Sequence, residues 1–119
     1  MTSHQVARKD LEDRTFAFAK DVRAFVRQLP RGIVNTQDGM QLIRSSGSVG
    51  ANYIEAQEAL SKKDFAMRVK ISRKEAKETR YWLNLLDVPT PLQSEHERLI
   101  KETNELLKIF SAIVNKVTA

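Results

Sequence analysis

Residues 41–56 read QLIRSSGSVGANYIEA, with apolar and glycine positions at steps of three and four. That spacing is the period of an α-helix. One stripe of this helix contains Met40, Ile43, Gly47, Gly50 and Ile54, and a second contains Leu42, Val49, Tyr53, Ala56 and Leu60. An outer helix of a monomeric bundle needs only one apolar stripe. A helix with two stripes is either unusually central in its own bundle or faces another copy of the chain, and we favour the contact between copies.

The flanking sequence predicts three more helices. Glycine (4) and proline (3) are scarce, which favours long uninterrupted helices. Thr36 or Asn35 is a candidate N-cap for the second helix, and Ser61 with Asp64 resembles a capping box for the third. The four helices are predicted at about residues 8–29, 37–60, 62–86 and 91–117. Because short links join antiparallel neighbours, we expect one all-α domain over residues 1–119, an antiparallel up-down-up-down four-helix bundle.

The composition excludes several classes of function. The chain has no cysteine, so disulfides, thiolate nucleophiles and cysteine metal sites are excluded. No apolar run approaches the length that spans a bilayer, and the first residues lack the apolar core of a signal peptide. We therefore expect a cytoplasmic protein without membrane contact. The sequence also predicts no cofactor, no metal site and no evident small-molecule substrate.

The two glycines in the second helix allow two interpretations. Each glycine costs about 1 kcal/mol relative to alanine inside a helix, so the segment around Gly47 and Gly50 is either a loop or a place where another helix comes close. Both glycines share a stripe with Ile43 and Ile54. This shared stripe favours close helix packing.

The second helix has polar residues along one side, and the third helix has two carboxylates among apolar residues. Carboxylates in apolar surroundings need partners, and Arg44 is the obvious cation. The predicted polar network consists of Arg44, Ser48, Asn52, Glu55, Glu75 and Glu78. A catalytic pair or a di-metal site is the alternative. However, neither His4 nor His96 follows a Glu by three residues, as di-metal bundles require. We therefore predict a structural network and no enzyme.

The third helix also has apolar residues beside its core stripe. These residues, here called the apolar flank, are Met67, Ile71, Trp82 and Leu85. Tryptophan is a favoured anchor of protein interfaces. The predicted interface between copies consists of Leu42, Val49, Tyr53, Ile71 and Trp82.

Residues 61–86 have eight basic and three acidic side chains, the largest charge excess in the chain. The predicted basic face of the third helix consists of Lys62, Lys63, Lys70, Arg73, Lys74, Lys77 and Arg80. Tyr81 lies at its edge, where its ring could stack on a base. The face is either a nucleic-acid-binding surface, with contacts multiplied in an oligomer, or a solvated surface without a ligand.

The run at residues 41–56, with Ser61-Lys62-Lys63-Asp64-Phe65 and residues 74–83 (KEAKETRYWL), resembles the bacterial four helix bundle proteins. These proteins are also described as intervening-sequence or "ribosomal protein" type, since some are encoded in insertions of large-subunit ribosomal RNA genes. The resemblance implies an antiparallel bundle that assembles as a ring, commonly a pentamer, without established catalytic activity. It carries over the positions Arg44, Asn52, Glu55, Lys74, Glu75, Glu78 and Trp82.

Two functions follow as hypotheses. The first is a non-enzymatic, self-assembling bundle whose oligomer binds RNA or DNA through the basic face. The second is a structural or protein-adaptor scaffold without affinity for nucleic acid.

Overall fold

The computed structural model describes the backbone from Ser3 to Ala119 and the side chains from Asp10 onward. Helix α1 spans Ser3–Gln28, α2 spans Ile33–Gln57, α3 spans Lys62–Leu85 and α4 spans Gln93–Thr118. A short 3-10 turn, Thr90–Leu92, precedes α4. Within Ser3–Ala119 every regular element is helical, so the protein is an all-α helical bundle. None of these helices is long and apolar enough to cross a membrane.

Two predicted boundaries of α2 were wrong. The helix begins four residues before the prediction, and Gly32 stands at its N-cap without a side-chain cap. Asn35 caps nothing, because its amide group bonds to the loop at Asp87. At the other end α2 stops at Gln57, and Leu60 lies beyond it, almost fully exposed. The Ser61 hydroxyl does accept a hydrogen bond from the Asp64 amide, as a cap of α3 should.

The core includes residues from all four helices. Its largest fully buried side chains are Phe25, Phe110, Leu42, Leu83, Leu99 and Leu106. Leu42 and Val49 have no exposed surface and Tyr53 has 3%. The prediction that these three residues form an interface between copies was therefore wrong, because they fill the interior of a single chain. The other α2 stripe points outward at Met40 and Ile54.

The glycines of α2 allow α1 to come close. A Cβ atom on Gly50 would lie 2.9 Å from the Thr15 hydroxyl, and one on Gly47 would lie 3.1 Å from the Arg23 guanidinium. The helix continues through both positions. Close packing is thus confirmed and the loop alternative is wrong, and the close neighbour is α1 of the same chain.

Small hydroxyl residues line the contact between α2 and α3, the most extensive in the bundle. The Ser72 hydroxyl donates to the Val49 carbonyl at 2.9 Å. The Thr79 hydroxyl lies 2.9 Å from the Ser45 hydroxyl and 2.8 Å from the Glu75 carbonyl oxygen. Because these groups are paired, they can be buried without the cost of unsatisfied polar atoms.

Charged residues join α1 to α4, whose contact is less extensive than the contact between α2 and α3. The Arg14 guanidinium donates two hydrogen bonds to the Glu102 carboxylate, both at 2.7 Å. Arg98 donates to Glu95 on its own helix and to Asp21 on α1. Along this side of the bundle each of these guanidinium groups has a carboxylate partner.

Candidate functional site

Arg44 connects α2 to two carboxylates of α3. Its Nη2 atom lies 3.1 Å from Glu78 Oε2, and its Nη1 atom lies 3.5 Å from Glu75 Oε2. Glu75 is buried, with 7% of its surface exposed, whereas the side chains of Arg44 and Glu78 are about half exposed. The structure thus brings together three of the predicted network residues, here called the carboxylate cluster.

In the carboxylate cluster, one guanidinium forms ion pairs with both acids, and Lys74 is a second cation farther away. Burial raises the pKa of Glu75, and the nearby Glu78 carboxylate raises it further, while Arg44 and Lys74 oppose the rise. The buried Oε2 atom of Glu75 has no hydrogen-bond partner among the described residues. A buried polar atom without a partner is uncommon in proteins. Within the described part of a single chain, the carboxylate cluster therefore contains a buried hydrogen-bond acceptor without a donor.

The remaining network residues do not reach the carboxylate cluster. The Ser48 hydroxyl donates to the Arg44 carbonyl, and the Asn52 amide donates to the Ser48 carbonyl. These are bonds within α2. Glu55 is exposed, and its carboxylate has no ion pair among residues 10–119. The predicted six-residue network is corrected to three residues, because the side chains of Ser48 and Asn52 bond within α2 and Glu55 faces solvent.

The apolar flank lies on the outer side of α3 beside the carboxylate cluster. Met67 is 52% exposed and Leu85 is 43% exposed. Ile71 and Trp82 are half-buried, and Trp82 packs partly against the core. The rings of Tyr81 and Trp82 meet edge to face, with centroids 5.2 Å apart. The apolar flank is thus a partly exposed apolar surface next to the carboxylate cluster.

The basic face lies mostly in solvent. Lys62, Lys63, Lys70, Lys74 and Lys77 are exposed, while Arg73 and Arg80 are half-buried. Arg80 donates to the Asn104 side chain on α4 at 2.9 Å. Arg80, at one edge of the face, therefore reaches α4, while the five lysines face solvent. Among residues 10–119 none of its side chains forms a salt bridge.

The side chains that catalysis would need are engaged in local structure. The hydroxyl groups of Ser45, Ser46 and Ser48 donate to backbone carbonyls of their own helix. The His96 Nε2 atom lies 2.7 Å from the Leu83 carbonyl oxygen, and its ring stacks on Phe25. The side chain of His4 lies outside the described residues. From Asp10 onward, no group of three or more His, Asp or Glu is placed to hold a metal ion.

Sequence reasoning missed a groove between α1 and α2. It has a volume of about 500 Å³, and its lining includes Phe16, which is 66% exposed, and Ile54, which is 46% exposed. Arg23 lies at one end, where its guanidinium donates to the carbonyls of Ala19 and Ile43. Glu12 and Asp13 line the groove as well. The spacing of Gly47 and Gly50 was the one signal in the sequence that could have located this groove.

A second missed feature joins the two loops at one end of the bundle. The Asn35 side chain donates to the Asp87 carbonyl at 3.0 Å and accepts from the Asp87 amide at 2.9 Å. The Asn35 side-chain nitrogen Nδ2 also donates to the Pro30 carbonyl at 3.3 Å. Asn35 therefore holds the α1–α2 connection against the α3–α4 connection.

Three comparisons place the chain among known proteins. A solved structure from Bacteroides thetaiotaomicron VPI-5482, a protein of unknown function from the S23 ribosomal protein family, superposes with a TM-score of 0.76. It is 29% identical in sequence, and the match covers 91% of this chain and 97% of that one. No curated protein matches the sequence. Residues 9–112 match the 23S rRNA-intervening sequence protein family. As its motifs predicted, this chain belongs to the 23S rRNA-intervening sequence protein family.

Proposed function

We propose that this protein is a non-enzymatic bundle that assembles with copies of itself and, once assembled, binds nucleic acid through the basic face. The observation that supports binding most strongly is the basic face itself, which is exposed and has no salt bridge among the described residues. Unpaired lysines on one helix are available to phosphates. A ring of five chains, which the family resemblance implies, would repeat this face around the assembly and add avidity.

Self-assembly is supported by the apolar surface left on the outside of the chain. Phe16, Met40 and Met67 are each more than half exposed. They lie on three different helices, and Phe16 shares the groove between α1 and α2 with the exposed Ile54. Exposed apolar residues that lie together mark protein interaction sites.

An antiparallel order of the helices is part of the proposal. Contacts between α1 and α2 join Thr15 to Gly50 and Val26 to Gly39. Those between α2 and α3 join Val49 to Ser72 and Ser45 to Thr79. Those between α1 and α4 join Arg14 to Glu102 and Asp21 to Arg98. Residue numbers rise along one helix and fall along its neighbour in each case, which supports an up-down-up-down bundle.

A salt titration tests nucleic-acid binding. We expect the affinity for a labelled single-stranded RNA or DNA to fall linearly with salt on logarithmic axes, because phosphate contacts release counterions. The double variant Lys70→Glu/Lys74→Glu should lower the slope by about two, since each lost phosphate contact removes about one. The matched control is Arg27→Glu/Lys101→Glu, which changes the charge equally at exposed positions of α1 and α4.

The titration also separates the two functions. If the control variant weakens binding as much as the basic-face variant does, binding depends on net charge and not on this face. If the wild-type protein binds neither RNA nor DNA at low salt, the structural or protein-adaptor role replaces nucleic-acid binding.

A further inference from the structure

Two charged groups of this chain lie at its surface without matching partners. The carboxylate cluster has a surplus acid, since Glu75 and Glu78 share the one guanidinium of Arg44. The groove between α1 and α2 has a surplus base, since Arg23 bonds only to backbone carbonyls among the described residues. The surplus acid and the surplus base lie on different sides of α2. They are opposite in charge and each is next to exposed apolar side chains.

We infer that the two surfaces bind one another between copies, with Arg23 of one copy against Glu78 of the next. This inference rests on the proposed self-assembly and names its two surfaces. Arginine binds carboxylates in a planar, two-pronged geometry. A guanidinium from a second copy would give the 41% exposed Glu78 side chain an ion-pair partner of its own and leave Arg44 to the buried Glu75. The contact would thus give each of the two carboxylates a cation.

The charges of the two surfaces match along their length. In the groove, the acidic Glu12 and the basic Arg23 are 11 residues apart on α1, which is about 16 Å along the helix. Beside the apolar flank, the basic Arg68 and the acidic Glu78 are 10 residues apart on α3, or about 15 Å. When α1 of one copy runs parallel to α3 of the next, Arg23 meets Glu78 and Glu12 meets Arg68. Such complementarity fixes register and partner.

Apolar side chains lie beside the charged groups on both surfaces. Phe16 and Ile54 are exposed beside the groove. Met67 and Trp82 belong to the apolar flank, where Met67 is exposed and Trp82 is half-buried. An aromatic anchor that enters a groove lined by glycine and alanine is a common hot-spot arrangement. The charges would therefore orient a contact that apolar burial stabilises.

Because the two surfaces are different patches of one chain, the contact joins copies head to tail. Contacts of this type close into rings or continue as filaments, in contrast to the self-complementary patch of a two-fold dimer. Each copy keeps its basic face, on the α4 side of α3, outside the contact. Assembly through these surfaces is thus compatible with nucleic-acid binding.

Charge reversal tests the pairing. We expect Arg23→Glu and Glu78→Arg each to weaken self-association at least tenfold, measured by sedimentation velocity over a dilution series. Their matched controls are Arg27→Glu, an exposed arginine on the same helix, and Glu97→Arg, an exposed glutamate on α4. The controls should associate like the wild-type protein. Circular dichroism melting of each variant checks that the bundle still folds.

The doubly reversed chain, Arg23→Glu with Glu78→Arg, gives the decisive result. Every junction between its copies again joins opposite charges, whatever the number of chains in the ring. We expect association to recover in this double variant. Folded single variants that associate like wild type, or a double variant that folds but does not recover association, would overturn the inference while leaving self-assembly intact. A wild-type protein that remains monomeric would overturn self-assembly itself.

Discussion

Charged side chains are paired differently in two regions of the bundle. One region is the contact between α1 and α4, and the other is the outer side of α2 and α3. Along α1 and α4, Arg14 has a bidentate partner in Glu102, and Arg98 bridges Glu95 and Asp21. On the outer side of α2 and α3, one arginine serves two carboxylates, and one buried carboxylate oxygen has no donor. The first surface is complete within one chain. The second has exposed apolar side chains and a buried carboxylate oxygen without a donor from residues 10–119. Both features favour a contact with another molecule.

The largest expected effect on stability comes from the core that α2 and α4 share. Leu42 on α2 and Leu99 on α4 are both fully buried. We expect Leu42→Ala and Leu99→Ala each to lower the free energy of unfolding by about 3 kcal/mol, the usual cost of a leucine-to-alanine cavity. Chemical denaturation at one fixed protein concentration measures both. If Leu42→Ala dissociated an oligomer while leaving the chain as stable as before, Leu42 would belong to an interface after all.

Removal of Arg44 should have the next largest effect. In Arg44→Met the buried Glu75 carboxylate loses its only nearby guanidinium. The loss of one partner of a fully buried pair costs 3–5 kcal/mol, and the half-exposed position of Arg44 reduces this to about 2 kcal/mol. Denaturation in urea, with Lys108→Met as the control on an exposed i,i+3 pair, gives the comparison. Equal losses for both variants would show that the carboxylate cluster is an ordinary surface pair.

Neutralisation of Glu75 should act in the opposite direction. Because the pKa of Glu75 is raised from 4.5, its charged form is disfavoured in the folded chain. Its contribution to stability is present below pH 4.5 and is lost as the pH rises through the raised value. We expect Glu75→Gln to be more stable than wild type at pH 7 by about 1 kcal/mol, the lower range for an unsatisfied buried group.

The pH profile distinguishes this effect from a general gain in stability. The advantage of Glu75→Gln should shrink as the pH falls through the raised pKa of Glu75, because the wild-type carboxyl group becomes protonated. On the α1–α4 side the sign is reversed, since the hydrogen bond from Arg98 lowers the pKa of Glu95. That contribution is lost as the pH falls. A Glu75→Gln advantage that persists unchanged at pH 4.5 would contradict the account of the buried carboxylate.

The smallest effect is expected at Arg98. Its side chain and those of its partners are between about a third and a half exposed. Exposed pairs contribute at most about 1 kcal/mol, so Arg98→Gln should cost about 0.5 kcal/mol. The loss should shrink in 1 M NaCl, because salt screens exposed charges. A salt-independent loss above 2 kcal/mol would place Arg98 in the structural core of the bundle.

The sequence predicted the carboxylate cluster better than it predicted the interface. Arg44, Glu75 and Glu78 could be paired because Arg44 is the one basic residue of α2 and the two carboxylates lie on one side of α3. Leu42, Val49 and Tyr53 were misassigned because α2 has two apolar stripes, and periodicity does not say which one is buried within the chain. The stripe of these three residues is buried in the core, whereas the other stripe packs its glycines on α1 and exposes Met40 and Ile54.

Arg23 and Asn35 could not be predicted for a different reason. The surroundings of Arg23 depend on Gly47 and the Ile43 carbonyl, which are about twenty residues away in sequence. Asn35 bonds to a loop 52 residues away. Such contacts depend on how the helices meet, whereas the helices themselves follow from local periodicity and capping.

Light scattering coupled to size exclusion at micromolar concentration tests the central claim most directly. The account predicts a particle of several chains, five by family resemblance, each of 13.6 kDa. A single species of 13.6 kDa at that concentration would show that the unsatisfied surfaces of α2 and α3 do not join copies of this chain.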